Sequence, residues 1–272
     1  MKYILVFCLL LTLLAACAST PRRAPMNVSA FTLFSTFSFP EAVSKAHYNP
    51  GTQTVYAVSP MSHEIYLWRE GKRINVIGGL GLNAANFQQL GDIAVANDGS
   101  LYAVDTMARN LKKFTADGKL LGTMELKGTI QPQKLAVGTE QNLYVWDASS
   151  AEIISYNMLD GTELFRFGRF QIDRVDLLFA SRDYVVAYDQ SRDQSKVFSS
   201  LGQLISTEPG QILYDSFNNA INLTTEALLS KMSAAFLPML GAKSVMTVSR
   251  DILALVVGTE LRLLKIEYEQ NP

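Results

Sequence analysis

Three aspartates, Asp105, Asp147 and Asp189, stand two equal steps of 42 residues apart, and the stretches that precede them superpose. Asp92-Ile93-Ala94-Val95 leads through Asn97-Asp98-Gly99 to Leu101-Tyr102-Ala103-Val104-Asp105. Lys134-Leu135-Ala136-Val137 leads to Asn142-Leu143-Tyr144-Val145-Trp146-Asp147, and Asp176-Leu177-Leu178-Phe179 leads to Tyr184-Val185-Val186-Ala187-Tyr188-Asp189. Each copy is two short apolar runs around a polar turn, the pattern of a β-hairpin. A second hairpin follows, with Asp117-Gly118 and Asp160-Gly161 at its turns. Four strands per repeat of about 42 residues is the period of a propeller blade, and the strand count separates it from helical solenoids of similar period.

Weaker copies flank these three. Lys45 to Ser59 fits with one residue added in the turn, and Ser244 to Val257 shares Ser-Arg-Asp with the third unit, at 249–251 and 181–183. Residues 209–241 read either as a degenerate blade or as an inserted helix, because Leu228, Met232, Phe236 and Leu240 recur every fourth residue after Thr224-Thr225-Glu226. The units also carry a family pattern. Gly78-Gly79-Leu80-Gly81, Phe87, Gly91-Asp92-Ile93-Ala94-Val95, Asp98-Gly99, Leu101-Tyr102-Ala103-Val104-Asp105, Asn110, Phe114 and Asp117-Gly118 resemble an NHL-type repeat. The likeness is good over 78–126 and fair to about 208, and Leu90 stands where that repeat has proline. NHL repeats form six-bladed β-propellers. The expected fold is therefore all-β, a single propeller of four-stranded antiparallel blades over 31–268, six blades favoured, with five plus an insertion at 209–241 as the alternative. Residues 269–272 are read as a tail.

A propeller leaves no open edge between its first and last blades. Phe31 to Phe39 alternates apolar and polar without a hairpin partner, and the unit from Ser244 has room for only three strands. The N-terminal strand is expected to complete that blade from outside.

Near its amino terminus the chain has Lys2, an apolar run from Tyr3 to Leu14, and Ala15-Ala16-Cys17. That run is shorter than the ~20 residues a spanning helix needs, and it ends in small residues, as an export signal does. Leu14-Ala15-Ala16-Cys17 resembles the lipobox of bacterial lipoproteins, in which the signal is cut before the cysteine and the thiol carries diacylglycerol. The resemblance implies a signal peptide at 1–16, lipidation of Cys17 and a polar, proline-punctuated tether at 17–30. Ala18 stands where aspartate would direct retention in the inner membrane of diderm bacteria, so the expected location is the outer membrane, facing the periplasm, with the cell surface as the alternative.

Composition narrows the chemistry. The only cysteines are Cys8 and Cys17, which leaves the body without a thiol for disulfides, zinc or nucleophilic attack. His47 and His63 are the only histidines, and no metal-ligand spacing accompanies them, so neither a metal nor another cofactor is expected. The Gly78 cluster lacks the Lys-Ser/Thr of a phosphate loop and reads as a blade-to-blade turn. A net charge of −1 supplies no basic face, and nucleic acid is not an expected partner.

Two repeat positions draw attention. Asp105, Asp147 and Asp189 close the second strands, where a carboxylate accepts N–H groups of the following turn; a ring of acids could instead hold a hard cation. Lys45, Asp92, Lys134 and Asp176 begin the first strands at the mouth of the channel, and their alternating signs predict pairs that fasten adjacent blades. A lactonase-like site of Asp92, Asp176 and Asn222 is conceivable but has no spacing to fix it. Phe217, Met232, Phe236, Leu237 and Met239 form a candidate partner surface or, equally, the buried side of an inserted helix. The function these features support is a non-enzymatic, lipid-anchored scaffold that binds protein partners in an envelope assembly or secretion apparatus. The alternative is a periplasmic lactonase- or lyase-like enzyme or small-ligand binder using the channel.

Overall fold

The computed structural model describes residues 26–270, apart from 60, 139–141 and 223–244. Twenty-two strands and no helix occur among the described residues. They form five four-stranded antiparallel sheets and one two-stranded sheet. The first blade holds β2 (Lys45–Asn49), β3 (Thr54–Ser59), β4 (Glu64–Arg69) and β5 (Lys72–Gly78). The second holds β6 (Leu90–Val95), β7 (Leu101–Asp105), β8 (Asn110–Phe114) and β9 (Leu120–Glu125). The third holds β10 (Pro132–Val137), β11 (Asn142–Asp147), β12 (Glu152–Asn157) and β13 (Glu163–Phe167). The fourth holds β14 (Leu177–Ala180), β15 (Tyr184–Asp189), β16 (Gln194–Ser199) and β17 (Leu204–Pro209). The last joins β20 (Val245–Ser249), β21 (Ile252–Val257) and β22 (Glu260–Gln270) to β1 (Met26–Ser38).

First strands touch in sequence order, β2 to β6 to β10 to β14, and β20 returns to β2, so the sheets form a closed ring. The favoured count of six full blades is corrected to five. The sixth sector, between the fourth and last blades, holds β18 (Ile212–Tyr214) paired with β19 (Ala220–Asn222), and β18 contacts β15 and β20. Residues 212–214 and 220–222 thus follow the degenerate-blade reading; the helical period at 228–240 lies outside the described residues. Gln211 locks this sector to the last blade: its Nε2 donates to the Met246 carbonyl at 2.9 Å and its Oε1 accepts from the Met246 N–H at 3.3 Å.

The N-terminal strand closes the ring as its lone edge required, but it is longer than 31–39. Met26 to Ser38 pairs antiparallel with β22, so 26–30, expected as tether, are strand, and β22 runs past 268 to Gln270. Register shifts between Val28 and Ala30 and between Leu33 and Ser35 explain why alternation missed it. A bulge changes which parity faces inward, and here it turns both Val28 and Phe31 into the core beside Leu264 and Ile266.

Apolar packing lies in the seams between blades. Tyr56, Ile65 and Leu67 of the first blade pack on Ile93, Leu101 and Phe114 of the second, and the third and fourth meet through Tyr144, Trp146, Phe167 and Phe198. Second strands, sandwiched on both sides, are buried along almost their whole length, whereas outer strands alternate or are exposed.

Candidate functional site

The geometry of the ring gives two faces. Ends of second and fourth strands and starts of first and third share one, called here the aspartate face; the turns within the two hairpins of each blade share the other.

On the channel side of the aspartate face, Lys45 and Asp92 form a buried ion pair. Lys45 Nζ lies 3.0 Å from both oxygens of Asp92 and 3.1 Å from the Ile93 carbonyl, with side chains 6% and 5% exposed. The Asp92 carboxylate also accepts the Ile93 N–H at 2.8 Å and the Leu135 N–H at 3.0 Å. One carboxylate therefore ties together the first, second and third blades. Burial lowers the Lys45 pKa, with Asp92 opposing that shift. The alternation does not continue as a ring of pairs. Lys134 makes no ion pair among the described residues, and Asp176 turns outward to Arg174, whose Nη2 donates at 2.7 Å, and to the Gln190 N–H at 2.9 Å. Arg174, two residues before Asp176, was the competitor that strand-position reasoning overlooked.

The three repeat aspartates bind backbone, as the turn reading predicts. Asp147 accepts Gln131 N–H at 2.7 Å, Ile130 N–H and Ser149 N–H at 3.3 Å, and Ser150 Oγ at 3.2 Å. Asp105 likewise accepts Gln88, Gln89 and Ala108 N–H groups at 2.8, 3.0 and 3.2 Å. Each carboxylate joins its own turn to the loop entering the blade. Asp189 holds only its own turn, through Ser191 N–H, Ser191 Oγ and Arg192 N–H. Those hydroxyl and amide donors and Arg192 lower the Asp189 pKa against the opposing effect of burial. Their lone pairs committed, these acids do not converge on a cation, and among the described residues no three His, Cys, Asp or Glu side chains do so.

Other candidates separate as well. His47 lies in β2 with Nε2 buried and unbonded among the described residues; burial first, then the Lys45 charge, hold its pKa well below the usual histidine value. His63 Nδ1 accepts the Leu90 N–H at 3.2 Å. Asn222 donates to the Pro209 carbonyl at 2.8 Å, away from the Lys45–Asp92 pair, so the lactonase-like trio is not assembled. Phe217 packs edge-on to Tyr268 at 4.8 Å and is half-buried; Met232, Phe236, Leu237 and Met239 lie outside the described residues.

The aspartate face carries an apolar population that repeat analysis did not single out. Met61, Leu80, Leu82, Met107, Ile130 and Phe170 all sit on its loops and are all exposed, Phe170 at 92% and Leu82 at 88%. The signal in the sequence was a large apolar residue in several of the connecting loops, where polar turn residues are the norm.

Radially ordered four-stranded antiparallel sheets around a channel define an all-β propeller. No family model matches the chain, and no curated protein matches it in sequence. Among solved structures it is similar to the glutaminyl cyclase of Myxococcus xanthus, with a TM-score of 0.56 and 8% identity over 88% of this chain and 97% of that one. It also matches virginiamycin B lyase from Staphylococcus aureus, TM-score 0.49, 10% identity, 82% of this chain and 65% of that one. A third match is the WD40 β-propeller domain of Doa1, TM-score 0.45, 14% identity, 83% of this chain and 64% of that one. The chain spans less than two thirds of the length of the lyase and of the Doa1 domain. At such identities the likeness establishes the propeller fold alone.

Proposed function

We propose that this chain is an exported, NHL-like propeller lipoprotein, anchored through Cys17 to the periplasmic side of the outer membrane, that acts as a scaffold by binding a protein partner on its aspartate face. The observation that carries the reading is the concentration of Met61, Leu80, Leu82, Met107, Ile130 and Phe170 on that one face. Exposed Met and aromatic residues gathered on one face suit an interaction surface, whose centre is rich in those residue types. Orientation supports it. Met26, paired with Gln270, begins β1 at the opposite face, and the nine residue steps from Cys17 to Met26 reach about 30 Å at most. A lipid on Cys17 would then hold the hairpin face toward the bilayer and leave the aspartate face turned away from it, open to a partner.

A photo-crosslinking residue placed at Phe170, compared with one at Leu201 on the hairpin face, tests this in intact cells. The expected result is a discrete protein adduct from position 170 that is lost in a Leu82→Ser, Met107→Ser variant of unchanged melting temperature. Equal adducts from both positions, or a mature Cys17 without acyl chains by mass spectrometry, would contradict the reading.

A further inference from the structure

Three blades carry a tyrosine at the same place in the second strand, and in two of them its hydroxyl bonds the next blade. Tyr56 in β3 donates its hydroxyl to the Ala116 carbonyl of the next blade at 3.0 Å, and Tyr144 in β11 donates to the Ser200 carbonyl at 3.0 Å. Ala116 and Ser200 each hold the second place in the turn between third and fourth strands. Tyr102 is the same tyrosine in the second blade, and Met158 is the matching turn residue in the third. Yet the Tyr102 hydroxyl is buried with no partner among the described residues, its side chain belonging to a residue only 3% exposed.

The sequence explains the missing bond. The other two turns close from Thr115 N–H to the Lys119 carbonyl and from Ser199 N–H to the Gln203 carbonyl, whereas the third-blade turn closes from Asn157 N–H to the Thr162 carbonyl, one residue longer. A second change coincides with it. Cross-strand rows from each tyrosine reach the outer strand at Asn75 in the first blade and Phe165 in the third, both of which fill their seams, but at Gly122 in the second. A Cβ at Gly122 would meet nothing within 4 Å. An extra turn residue and an absent side chain together open a cleft of about 760 Å³ between the second and third blades, the size of a small-molecule site.

The lining specifies an occupant. Leu111, Leu121, Met124 and Met158 supply apolar walls, Tyr102 supplies a buried hydroxyl, and Lys113 Nζ stands 5.4 Å over the Tyr102 ring. Lys113 makes no ion pair among the described residues. The acids in the cleft are engaged or distant: Glu163 binds Arg166 at 2.7 Å, Asp160 accepts the Thr162 N–H at 2.9 Å, and Glu125 is three residues along β9 from Gly122, about 10 Å away. An ammonium has only donors, and the hydroxyl needs an acceptor. We propose that this inter-blade cleft binds a small apolar molecule carrying an anionic oxygen acceptor, such as an aryl or acyl carboxylate, with the acceptor between Tyr102 and Lys113. This site is separate from the partner face and does not depend on it.

The test is calorimetric titration of the full chain with 4-phenylbutyrate, against 4-phenylbutylamine as the cation of matched shape. The acid is expected to bind and the amine not to. Tyr102→Phe, which removes only the unpaired hydroxyl and should melt no lower than wild type, is expected to weaken the acid by about tenfold or more. Gly122→Phe, copying the seam filled by Phe165, is expected to abolish binding and to raise the melting temperature. Failure of the acid to bind, equal binding of acid and amine, or undiminished binding to either folded variant would overturn the proposal.

Discussion

The Asp92 carboxylate gives the sharpest energetic prediction. It accepts two contacts from Lys45 and one each from the Ile93 and Leu135 N–H groups, with no more than about a twentieth of either charged side chain exposed. In Asp92→Ala the Lys45 ammonium keeps only the Ile93 carbonyl, and the Leu135 N–H loses its acceptor. Breaking a buried pair from one side costs about 3–5 kcal/mol, because a charge is left without its counter-ion. For a domain of this size each kcal/mol moves the melting midpoint by about 2–4 °C, so the variant should melt roughly 6–20 °C lower. Replacing the pair together, as Lys45→Met with Asp92→Leu, removes the stranded charge and should restore most of the loss. Equilibrium urea denaturation of wild type, Lys45→Met, Asp92→Leu and the double variant gives the coupling energy directly. A cost below about 1 kcal/mol for Asp92→Ala, or strict additivity of the two single changes, would refute the argument that this pair fastens the first three blades.

Two further predictions rest on single residues. Asp147→Ala releases two amides of the loop entering the third blade and should cost about 2 kcal/mol, whereas Asp189→Ala, which frees only its own turn, should cost about half as much; parallel urea melts decide whether the order holds. His47 is held neutral by burial and by Lys45, so its folded pKa lies below its unfolded one. The unfolded chain then takes up the proton first, and stability should be complete above about pH 6.5 and fall by up to about 1.4 kcal/mol per pH unit beneath it. In His47→Leu that contribution to the slope, measured by melts across pH 5–8, should vanish.

Much of this architecture was legible because a propeller repeats its local rules. The 42-residue step found three blades, and weaker copies of the same hairpin found the first and the last, since each blade must bury the same strand against the same neighbour. What failed was whatever broke the repeat. Bulges at Ser29 and near Phe34 hid the beginning of β1, because a bulge reverses the parity that alternation counts. The six-blade expectation came from family likeness, and β18 and β19, three residues each, are too short to announce a sheet. The alternating charges at the first-strand starts predict a ring of equivalent pairs; only Lys45 and Asp92 pair, because Arg174 competes locally for Asp176. Tyr102 was visible only as a repeat residue, since its missing partner depends on an insertion in another blade.

The closed ring is the claim on which the rest stands, and the β1–β22 pairing is what closes it. Thr32 lies opposite Lys265 in that pairing, and both side chains are exposed. In a Cys17→Ser background, with the export signal and its Cys8 replaced, a Thr32→Cys, Lys265→Cys chain carries no other thiol. Mild oxidation of the folded protein should yield one intramolecular disulfide without loss of native circular dichroism, and the oxidised form should unfold at higher denaturant than the reduced one. Thiols that stay free in the folded protein under the same oxidation would show that the N-terminal strand does not complete the last blade.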